Sequence, residues 1–407
     1  MSLTKIEQLF KTRLTELQQQ GMRKGDEKIV TGRQAPADGF GPRYFLEGHG
    51  DQPFLRMNSN SYLGLSGHPR VIKAEADAAE QFGTGPGAVR FISGTYRPHV
   101  ALEKRLAAFH GREAAMIMSA AYATMMGVLP QLISDQTLVV SDALNHNCII
   151  NAIRLSHPVR KEVYAHADID ALESLLDANK GQARRVCVVT DGIFSMRGDH
   201  APLDRLNACC RRHEAGYEEG IITVVDDSHG GGIFGRTGRG TEEHTGSQAD
   251  ILIGTLGKAF GVNGGYVAAS SAVIAYLRET APLYIYSNPI TPAEAAAAMA
   301  AVDIVDSREG LEMLERLRGL SARLRSGLER LGFEILPGEH PIVPVLIRDT
   351  EKTSALAAHL FAHRILATGL NYPVVPKGEQ EIRFQVAADH TEKDLDYLLA
   401  VLADFKQ

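Results

Sequence analysis

The chain has 407 residues, of which 44% are hydrophobic and 23% are charged, and its formal net charge is −6. That length permits a large buried core and two domains, and the composition is ordinary for a soluble globular protein. The negative charge excludes an electrostatic basis for binding nucleic acid or an anionic membrane. No apolar run is long enough to span a bilayer, and the polar amphipathic N-terminus lacks the pattern of a signal peptide.

The cysteines show none of the paired CxxC spacing that is typical of zinc sites; they are Cys148, Cys187, Cys209 and Cys210. Two of them lie in apolar segments. We therefore expect reduced structural thiols and a cytoplasmic protein.

The first segment, up to about Gln34, has apolar residues at helical spacing, namely Ile6, Leu9, Phe10, Leu14 and Leu17. This pattern predicts an amphipathic helix that packs against a larger body or a partner subunit. A polar turn at Met57–Pro69 follows, rich in Asn, Ser and Gly, and its central Asn60 is placed where it could reach a ligand.

Between residues 114 and 270, short apolar runs alternate with polar turns and helical segments. The predicted strands are Ala114–Met118, Leu138–Val140, Arg185–Thr190, Ile221–Val225, Ile251–Ile253 and Gly264–Ser270. This alternation is typical of a mostly parallel sheet covered by helices on both faces. Open sheets of this kind bind ligands beyond the carboxyl ends of their strands.

Polar residues follow four of these strand ends: His146, Ser195, Asp226, His229 and Lys258. A carboxylate, an imidazole and a lysine amine at one edge of a sheet indicate a pyridoxal phosphate pocket. The lysine would hold the cofactor as a Schiff base, and the aspartate would keep its pyridine nitrogen protonated. The small-residue turn Ser119–Gly127, where a strand passes into a helix, presents free backbone N–H groups that suit a phosphate.

The C-terminal part begins with an alanine-rich stretch that opens a long helix, either continuous or interrupted, followed by a leucine stripe at Leu317, Leu320, Leu324, Leu328 and Leu331. Residues 337–341 are predicted to form a hinge into a small domain with strand Ile342–Ile347, helix Ser354–Ile365, strand Ile382–Val386 and helix Glu392–Phe405. The predicted organisation is an N-terminal helical segment (1–56), a large cofactor domain (57–292), and a linking helix with a small C-terminal domain (293–407).

Three other interpretations compete with the cofactor pocket. GTLGKAFG has only two residues between its glycines and no Ser or Thr after Lys258, so it is not a nucleotide phosphate loop. Asp226, Asp227 and His229 could ligate a metal, but no further cluster at metal spacing accompanies them. Taken singly, Asp226 could be a helix cap and Lys258 a solvated turn residue; their joint occurrence favours the cofactor.

Seven segments resemble the α-oxoamine synthases in order and spacing: NSNSYLGL, VRFISGT, SDALNHNCII, TDGIFSMRGD, VVDDSHGGGIFG, GTLGKAFG and NYPVVPKGEQEIR. These are fold-type I pyridoxal phosphate enzymes that condense an amino acid with an acyl-CoA. The resemblance covers nearly the whole chain and implies a homodimer with shared active sites. SDALNH and YPVVPKG are similar to the glycine C-acetyltransferase (2-amino-3-ketobutyrate CoA ligase) branch, which implies glycine and acetyl-CoA as substrates.

The resemblance implies a role for each polar residue at the strand ends. Lys258 would form the Schiff base and, once freed, remove the α-proton, while Asp226 would pair with the pyridine nitrogen. His229 and Ser195 would approach the cofactor's phenolic oxygen. His146 would stack on the ring and donate a hydrogen bond to the developing oxyanion.

The same resemblance implies the contacts around the phosphate and the substrate. The phosphate would be held by the backbone amides of Ala121 and Tyr122, by the hydroxyl of Thr255, and by Ser287 and Asn288 of the neighbouring subunit. The amino acid's carboxylate would be bound by Asn60 and by Arg383 as a bidentate clamp.

The sequence departs from the family pattern around the phosphate cup and the acyl approach. Residues 121–125 are bulkier and more apolar than usual, Gly230 and Gly231 replace larger residues, and Pro289 replaces a serine. An alternative function is therefore a related synthase that uses serine or alanine with a longer acyl-CoA or acyl-carrier-protein thioester, followed by decarboxylation. A protein that has kept the cofactor but lost condensation is a third hypothesis.

Overall fold

The computed structural model of the chain describes residues 2–19, 22–23, 26–372 and 374–406. It begins with a helix and three short strands: α1 (Ser2–Gln19), β1 (Val30–Gln34), β2 (Arg43–Leu46) and β3 (Leu55–Arg56). Strands β1 and β2 pair as an antiparallel hairpin, which the prediction of a helical segment over 1–56 missed. Both strands are short; β1 is mostly exposed and β2 is mostly half-buried, so neither has the long buried apolar run on which a strand prediction depends.

Helix α1 presents its apolar residues to solvent. Leu9 and Phe10 are 64% and 60% exposed, and Leu3, Ile6 and Leu14 are exposed as well. The predicted packing against the body of the same chain is therefore absent for these side chains, and packing against a partner subunit remains a prediction.

The central part of the chain alternates strands and helices much as the sequence predicts. Its elements are α2 (Pro69–Phe82), α3 (Arg97–Phe109), β4 (Ala114–Met118), α4 (Ala121–Leu132), β5 (Thr137–Asp142), α5 (Asn147–Leu155), β6 (Arg160–Tyr164), α6 (Ile169–Ala178), β7 (Arg185–Asp191), α7 (Leu203–His213), β8 (Ile221–Asp226), α8 (Thr241–Thr245), β9 (Ile251–Thr255), β10 (Gly265–Ala269), α9 (Ser271–Thr280) and α10 (Pro282–Ile285). All six predicted strands are present. Strand β6 was not predicted, because as an edge strand it is largely exposed.

These strands form one seven-stranded sheet in the order β4-β10-β9-β8-β7-β5-β6. Strands β6, β5, β7, β8 and β9 run parallel, and β10 is antiparallel to both of its neighbours. The mostly parallel sheet is as predicted. Every residue of β5 is buried, in keeping with a parallel sheet that is covered on both faces.

The predicted long helix is two helices, α11 (Pro292–Val305) and α12 (Arg308–Arg330). The interruption has a local cause: the side chain of Ser307 accepts a hydrogen bond from the backbone N–H of Gly310 and so caps α12. Four leucines of the predicted stripe are buried, and Leu331 packs against them partly buried.

The last elements are β11 (Glu334–Ile335), β12 (Ile342–Leu346), α13 (Thr350–Ala362), β13 (Ile365–Leu366), β14 (Thr368–Leu370), β15 (Glu381–Gln385) and α14 (Glu392–Lys406). Four strands form an antiparallel sheet in the order β11-β12-β15-β14. Helix α13 begins four residues before the predicted start because the Asp349 side chain caps it, accepting from the N–H of Lys352. Pro373, within the YPVVPKG segment, lies outside the described residues.

The described helices include none with the length and apolarity needed to cross a lipid bilayer. The four cysteines are buried and free.

The N-terminal and C-terminal parts are tied together by a buried carboxylate. Asp394, fully buried on α14, accepts hydrogen bonds from the backbone N–H of Gly41 at 2.9 Å and from Nη2 of Arg43 at 2.6 Å. A second link is the parallel pairing of β3 with β13. Residues 41–56 are therefore positioned by the C-terminal part of the chain.

We expect Asp394→Ala to lower the free energy of unfolding by about 3 kcal/mol, because it leaves a partly buried guanidinium and a buried N–H without their acceptor. Urea unfolding followed by circular dichroism measures this change. The control is Asp396→Ala on the same helix, whose partner Arg323 is 40% exposed; that loss should stay under about 0.5 kcal/mol. Equal effects of the two substitutions would contradict the assigned role of Asp394.

Candidate active site

A cavity of about 270 Å³ lies beyond the carboxyl ends of the parallel strands. The residues predicted from the sequence that line it are Ala121, Tyr122, His146, Ser195, Asp226, His229, Thr255 and Lys258. The sheet brings them together because β5, β7, β8 and β9 are neighbours that end at the same edge, with Asp191 in register with Asp226. Asp226 is the last residue of β8, and Lys258 follows β9 by three residues.

Lys258 lies in this cavity near two carboxyl groups. Burial lowers the pKa of its amine to about 8, although the charges of Asp226 and Asp191 act in the opposite direction; Arg383 lowers it further. A lysine of ordinary pKa would be almost entirely protonated at neutral pH. Lys258 therefore has an appreciable neutral fraction and can act as a nucleophile or as a base.

Two buried carboxyl groups stand side by side at the ends of β7 and β8. Asp226 accepts a hydrogen bond from the backbone N–H of Ser228 at 3.1 Å, and Cys148 Sγ lies 3.5 Å from its other oxygen. Burial, followed by the charge of Asp226, raises the pKa of Asp191 well above its ordinary value. We assign the negative charge of this pair to Asp226, since like charges so close in a buried site disfavour double ionisation. The sequence analysis missed Asp191 and Cys148.

His146 is both a helix cap and a residue of the cavity wall. Its Nδ1 accepts the backbone N–H of Cys148 at 3.2 Å, which caps α5. Burial lowers the pKa of His146, and Lys258 adds to that effect while Asp226 opposes it. In the neutral ring the proton must then sit on Nε2, because Nδ1 is an acceptor.

His229 is fixed by two residues that the sequence analysis did not single out. The hydroxyl of Tyr62 lies 2.7 Å from its Nδ1, and Nε2 of His340 donates to its backbone carbonyl at 2.9 Å. Burial, reinforced by the charge of Lys258, lowers the pKa of His229 well below its ordinary value. His229 is therefore neutral, and its second ring nitrogen is left for a ligand.

The two residues predicted to bind a carboxylate lie just behind the cavity wall. Arg383 donates from Nη1 to the backbone carbonyl of Ser195 at 2.6 Å, and burial lowers the pKa of its guanidinium. Asn60 accepts a hydrogen bond from the Tyr62 hydroxyl at 3.3 Å. Arg383 is thus hydrogen-bonded directly to a cavity-lining residue, Ser195, and Asn60 is linked to another, His229, through Tyr62.

The N-terminus of α4 opens into the cavity at Ala121 and Tyr122. Its cap residue, Ala120, offers no side-chain acceptor to the first N–H groups of the helix, so these donors suit an anion. Thr255, across the cavity, accepts from the N–H of Gly257 and donates to the carbonyl of Gly264. Ser287 and Asn288 follow α10 and do not line this chain's cavity.

The geometry does not favour the metal interpretation of Asp226, Asp227 and His229. Asp227 accepts two hydrogen bonds from Thr241, one from its backbone N–H at 2.7 Å and one from its hydroxyl at 2.6 Å. Its carboxylate therefore holds the 227–241 loop closed and does not share a ligand position with its neighbours. Burial raises its pKa to about 6.

Residues 52–402 match the family model "Aminotransferase class I and II". The chain therefore belongs to the aminotransferase class I and II family. It resembles the solved serine palmitoyltransferase of Sphingomonas wittichii with a TM-score of 0.88 and 25% identity, over 99% of this chain and 97% of that one.

Two curated relatives define the kind of enzyme more narrowly. The 8-amino-7-oxononanoate synthase of Geobacter metallireducens is 40% identical over 97% of each chain, and that of Bacillus pumilus is 38% identical over 87% of this chain and 88% of its own. Together with related structures that contain pyridoxal phosphate, they place the chain among the α-oxoamine synthases. These are pyridoxal-phosphate-dependent acyltransferases with the predicted fold-type I architecture. The expected kinship with the glycine C-acetyltransferase branch is not supported, since these relatives have a different name and product.

The turn that carries Ser195 is held by a charged histidine. His166 contacts Asp142 through Nδ1 at 3.1 Å and Asp199 through Nε2 at 3.2 Å, and its ring packs edge-on against Phe194 at 4.3 Å. Burial alone would lower the pKa of His166, but the two carboxylates raise it to about 9. The folded-state pKa of His166 exceeds the unfolded value of about 6.5. The contacts of the charged ring with Asp142 and Asp199 therefore stabilise the fold fully below about pH 6.5, and this stabilisation is lost as pH rises through about 9.

We expect the His166 ring to titrate near pH 9 in an NMR experiment, and Asp199→Asn to move that midpoint down toward its ordinary value, because one of its two anionic partners is removed. Asp204→Asn, an exposed change on α7, is the control and should leave the midpoint in place. A wild-type midpoint near 6.5 would show that the two carboxylates do not hold the ring as described.

Proposed function

We propose that this chain joins alanine, or another small amino acid larger than glycine, to an acyl thioester much longer than acetyl, with loss of carbon dioxide. The proposal rests on the product named for the relatives, 8-amino-7-oxononanoate. In 8-amino-7-oxononanoate the amine-bearing C8 and the methyl C9 correspond to alanine without its carboxyl group, and C1 to C7 correspond to the acyl group. The serine palmitoyltransferase neighbour, whose name gives serine and a long acyl chain, supports the same direction.

The balanced reaction follows from this division of the product into an amino-acid part and an acyl part. A carbon–carbon bond forms between the α-carbon of the amino acid and the acyl carbonyl carbon, and the carbon–sulfur bond breaks. The thiol leaves with a proton, the former amino-acid carboxyl group departs as carbon dioxide, and the α-carbon takes up a proton in its place. The product is an α-amino ketone.

The residues of the cavity fit pyridoxal phosphate. A partly neutral amine at Lys258 can take up the aldehyde, the carboxylate of Asp226 can stabilise a protonated pyridine nitrogen, and the N-terminus of α4 can hold the phosphate. When bound, this cofactor supplies an electron-withdrawing ring that acidifies the α-carbon.

We assign the proton transfer at the α-carbon to the amine of Lys258, whose lowered pKa suits a base near neutral pH. We assign a contact with the cofactor's phenolic oxygen to His229, whose ring Tyr62 holds in place. His146, with its proton on Nε2, would stack on the ring and could donate to the oxygen of the thioester carbonyl as charge develops there.

Substrate positioning is assigned to Arg383 and Asn60, through the amino acid's carboxylate. Arg383 is a partly buried cation whose hydrogen-bond partners, the Ser195 carbonyl and the side-chain amide oxygen of Gln385, are both neutral, so its charge is available to an incoming anion. We also propose that Ser287 and Asn288 serve the cavity of a second copy, which would make the homodimer the functional unit.

The substrate assignment predicts a clear ranking in a panel of amino acids and thioesters. Alanine with a seven-carbon or longer acyl thioester should release thiol faster than glycine with acetyl-CoA, and carbon dioxide should appear in equal amount. Thiol release is followed with a disulfide reagent and carbon dioxide with a coupled assay. Faster turnover of glycine and acetyl-CoA, without carbon dioxide, would instead establish the glycine C-acetyltransferase reaction.

Lys258→Ala should abolish covalent capture of pyridoxal phosphate, detected by mass spectrometry after borohydride reduction. In the wild-type apoprotein the rate of capture should rise with pH with a midpoint near 8, because only the neutral amine attacks the aldehyde. Lys104→Ala, an exposed change on α3, is the control and should not alter capture. Undiminished capture in Lys258→Ala would refute the assignment.

A further inference from the structure

A second cavity, of about 450 Å³, adjoins the active site. We call it the side cavity; it lies between the start of α5, the 194–197 turn, β12 and the 374–376 segment before β15. Much of its wall is apolar, including Leu144, Ile150 and Val375, and Ser195 lines both cavities. Its volume is within the usual range for a small-molecule site, and among the residues assigned to the cofactor and the amino acid Ser195 alone lines it.

One carboxyl oxygen in this wall has no hydrogen-bond partner among the described residues. Glu381, the first residue of β15, is 2% exposed, and its Oε1 has no hydrogen-bond partner among the described residues. Unpaired buried polar atoms are rare in folded proteins, because each one forfeits its hydration without compensation. An unpaired carboxyl oxygen in the wall of a cavity therefore points to a missing ligand group.

The charge state of Glu381 defines that group. Burial raises the pKa of Glu381 to about 8. The charges of Arg383, on the same strand, and of Arg197, in the 194–197 turn, oppose this rise, whereas Glu379 in the preceding loop adds to it. Arg348, beyond β12, also lines the cavity, but its guanidinium pairs with Glu334. Glu381 is thus mainly a neutral acid at pH 7, with one O–H donor and one carbonyl acceptor.

The position of Glu381 relates the side cavity to the reacting atoms. Residues 381 and 383 lie on the same face of β15, about 6.6 Å apart along the strand. Arg383 binds the backbone of Ser195, at the boundary between the two cavities. A chain that leaves the active site past Ser195 would therefore enter the side cavity, whose wall includes Glu381.

We propose that the side cavity binds the thiol-side arm of the acyl donor and that Glu381 recognises an amide in it. The proposal rests on the proposed function. Coenzyme A and acyl-carrier proteins both present their thiol on pantetheine, a flexible chain with amide groups. A secondary amide offers one donor and one acceptor and so complements a neutral carboxyl group. A hydrocarbon acyl chain would leave Oε1 unpaired, and an anionic chain end would lie beside Glu379.

The test compares two thioesters of the same acyl group, one with N-acetylcysteamine, which has an amide, and one with ethanethiol, which has none. Glu381→Leu should raise KM for the N-acetylcysteamine thioester about fivefold, the effect of one neutral hydrogen bond, and leave kcat and the KM of the ethyl thioester unchanged. Equal changes for both thioesters, or a change that depends on acyl length, would overturn the proposal and assign the cavity to the acyl chain.

Glu381→Gln is the matched variant, because it keeps a donor and an acceptor but cannot ionise. Its KM for the N-acetylcysteamine thioester should equal that of the wild type at pH 7. Above about pH 8 the wild-type KM should rise as Glu381 loses its proton, and that of Glu381→Gln should stay flat. A rise of the same size in both proteins would contradict the role of Glu381.

Direct binding separates this inference from the proposed function. Calorimetric titration of the holoenzyme with pantetheine should show an affinity about fivefold lower for Glu381→Leu than for the wild type, whether or not any thioester is turned over. Unchanged affinity would refute the inference. Absence of thiol release from every amino acid and thioester would refute only the proposed function. Tighter binding of coenzyme A than of pantetheine would identify coenzyme A as the carrier; equal binding would favour a carrier protein.

Discussion

The site depends on an imbalance of charge in a poorly hydrated cavity. Lys258 and Asp226 face the same cavity, where an ion is costly unless a partner or a hydrogen bond stabilises it. The fold settles this by leaving one anion, Asp226, and keeping Asp191, His146 and His229 neutral. The carboxylate of Asp226, the amine of Lys258 and the neutral side chains around them are therefore available to interact with a bound ligand. The parallel sheet makes this arrangement possible, since only strands that end at a common edge bring such groups within reach of one another.

Much of the sheet and of the cavity could be predicted from the sequence, because both are encoded locally. Buried parallel strands read as short apolar runs, and the residues that follow them share one edge by topology alone. His146, Asp226 and Lys258 could be placed in this way. Tyr62 and His340 could not, since they approach His229 from distant parts of the chain. Tyr62 lies in the NSNSYLGL segment, but that motif does not link it to His229, and His340 lies in none of the quoted motifs. Glu381 was also missed, because a glutamate in a strand is normally read as exposed.

Other errors have equally physical causes. Strands β1 and β6 are mostly exposed, and β2 is short and mostly half-buried, so none of the three leaves a clear hydrophobic pattern. The choice between substrate branches failed for a different reason. The groups that bind the cofactor and the amino acid's carboxylate are shared across the family, whereas acyl preference depends on cavity shape, which short motifs do not record. The departures at residues 121–125 and at Pro289 were the signals in the sequence that pointed away from acetyl-CoA.

The loop closed by Asp227 has a consequence for how such a sequence can change. Its carboxylate lies so close to the backbone of Gly192, Gly230 and Gly240 that a Cβ at any of these positions would overlap it, and Gly240 also has a φ of +94°. A side chain at any one of the three would displace the Asp227 carboxylate from Thr241 or shift the loop. A change at position 230 would therefore act on the 227–241 loop as a whole and not at that position alone.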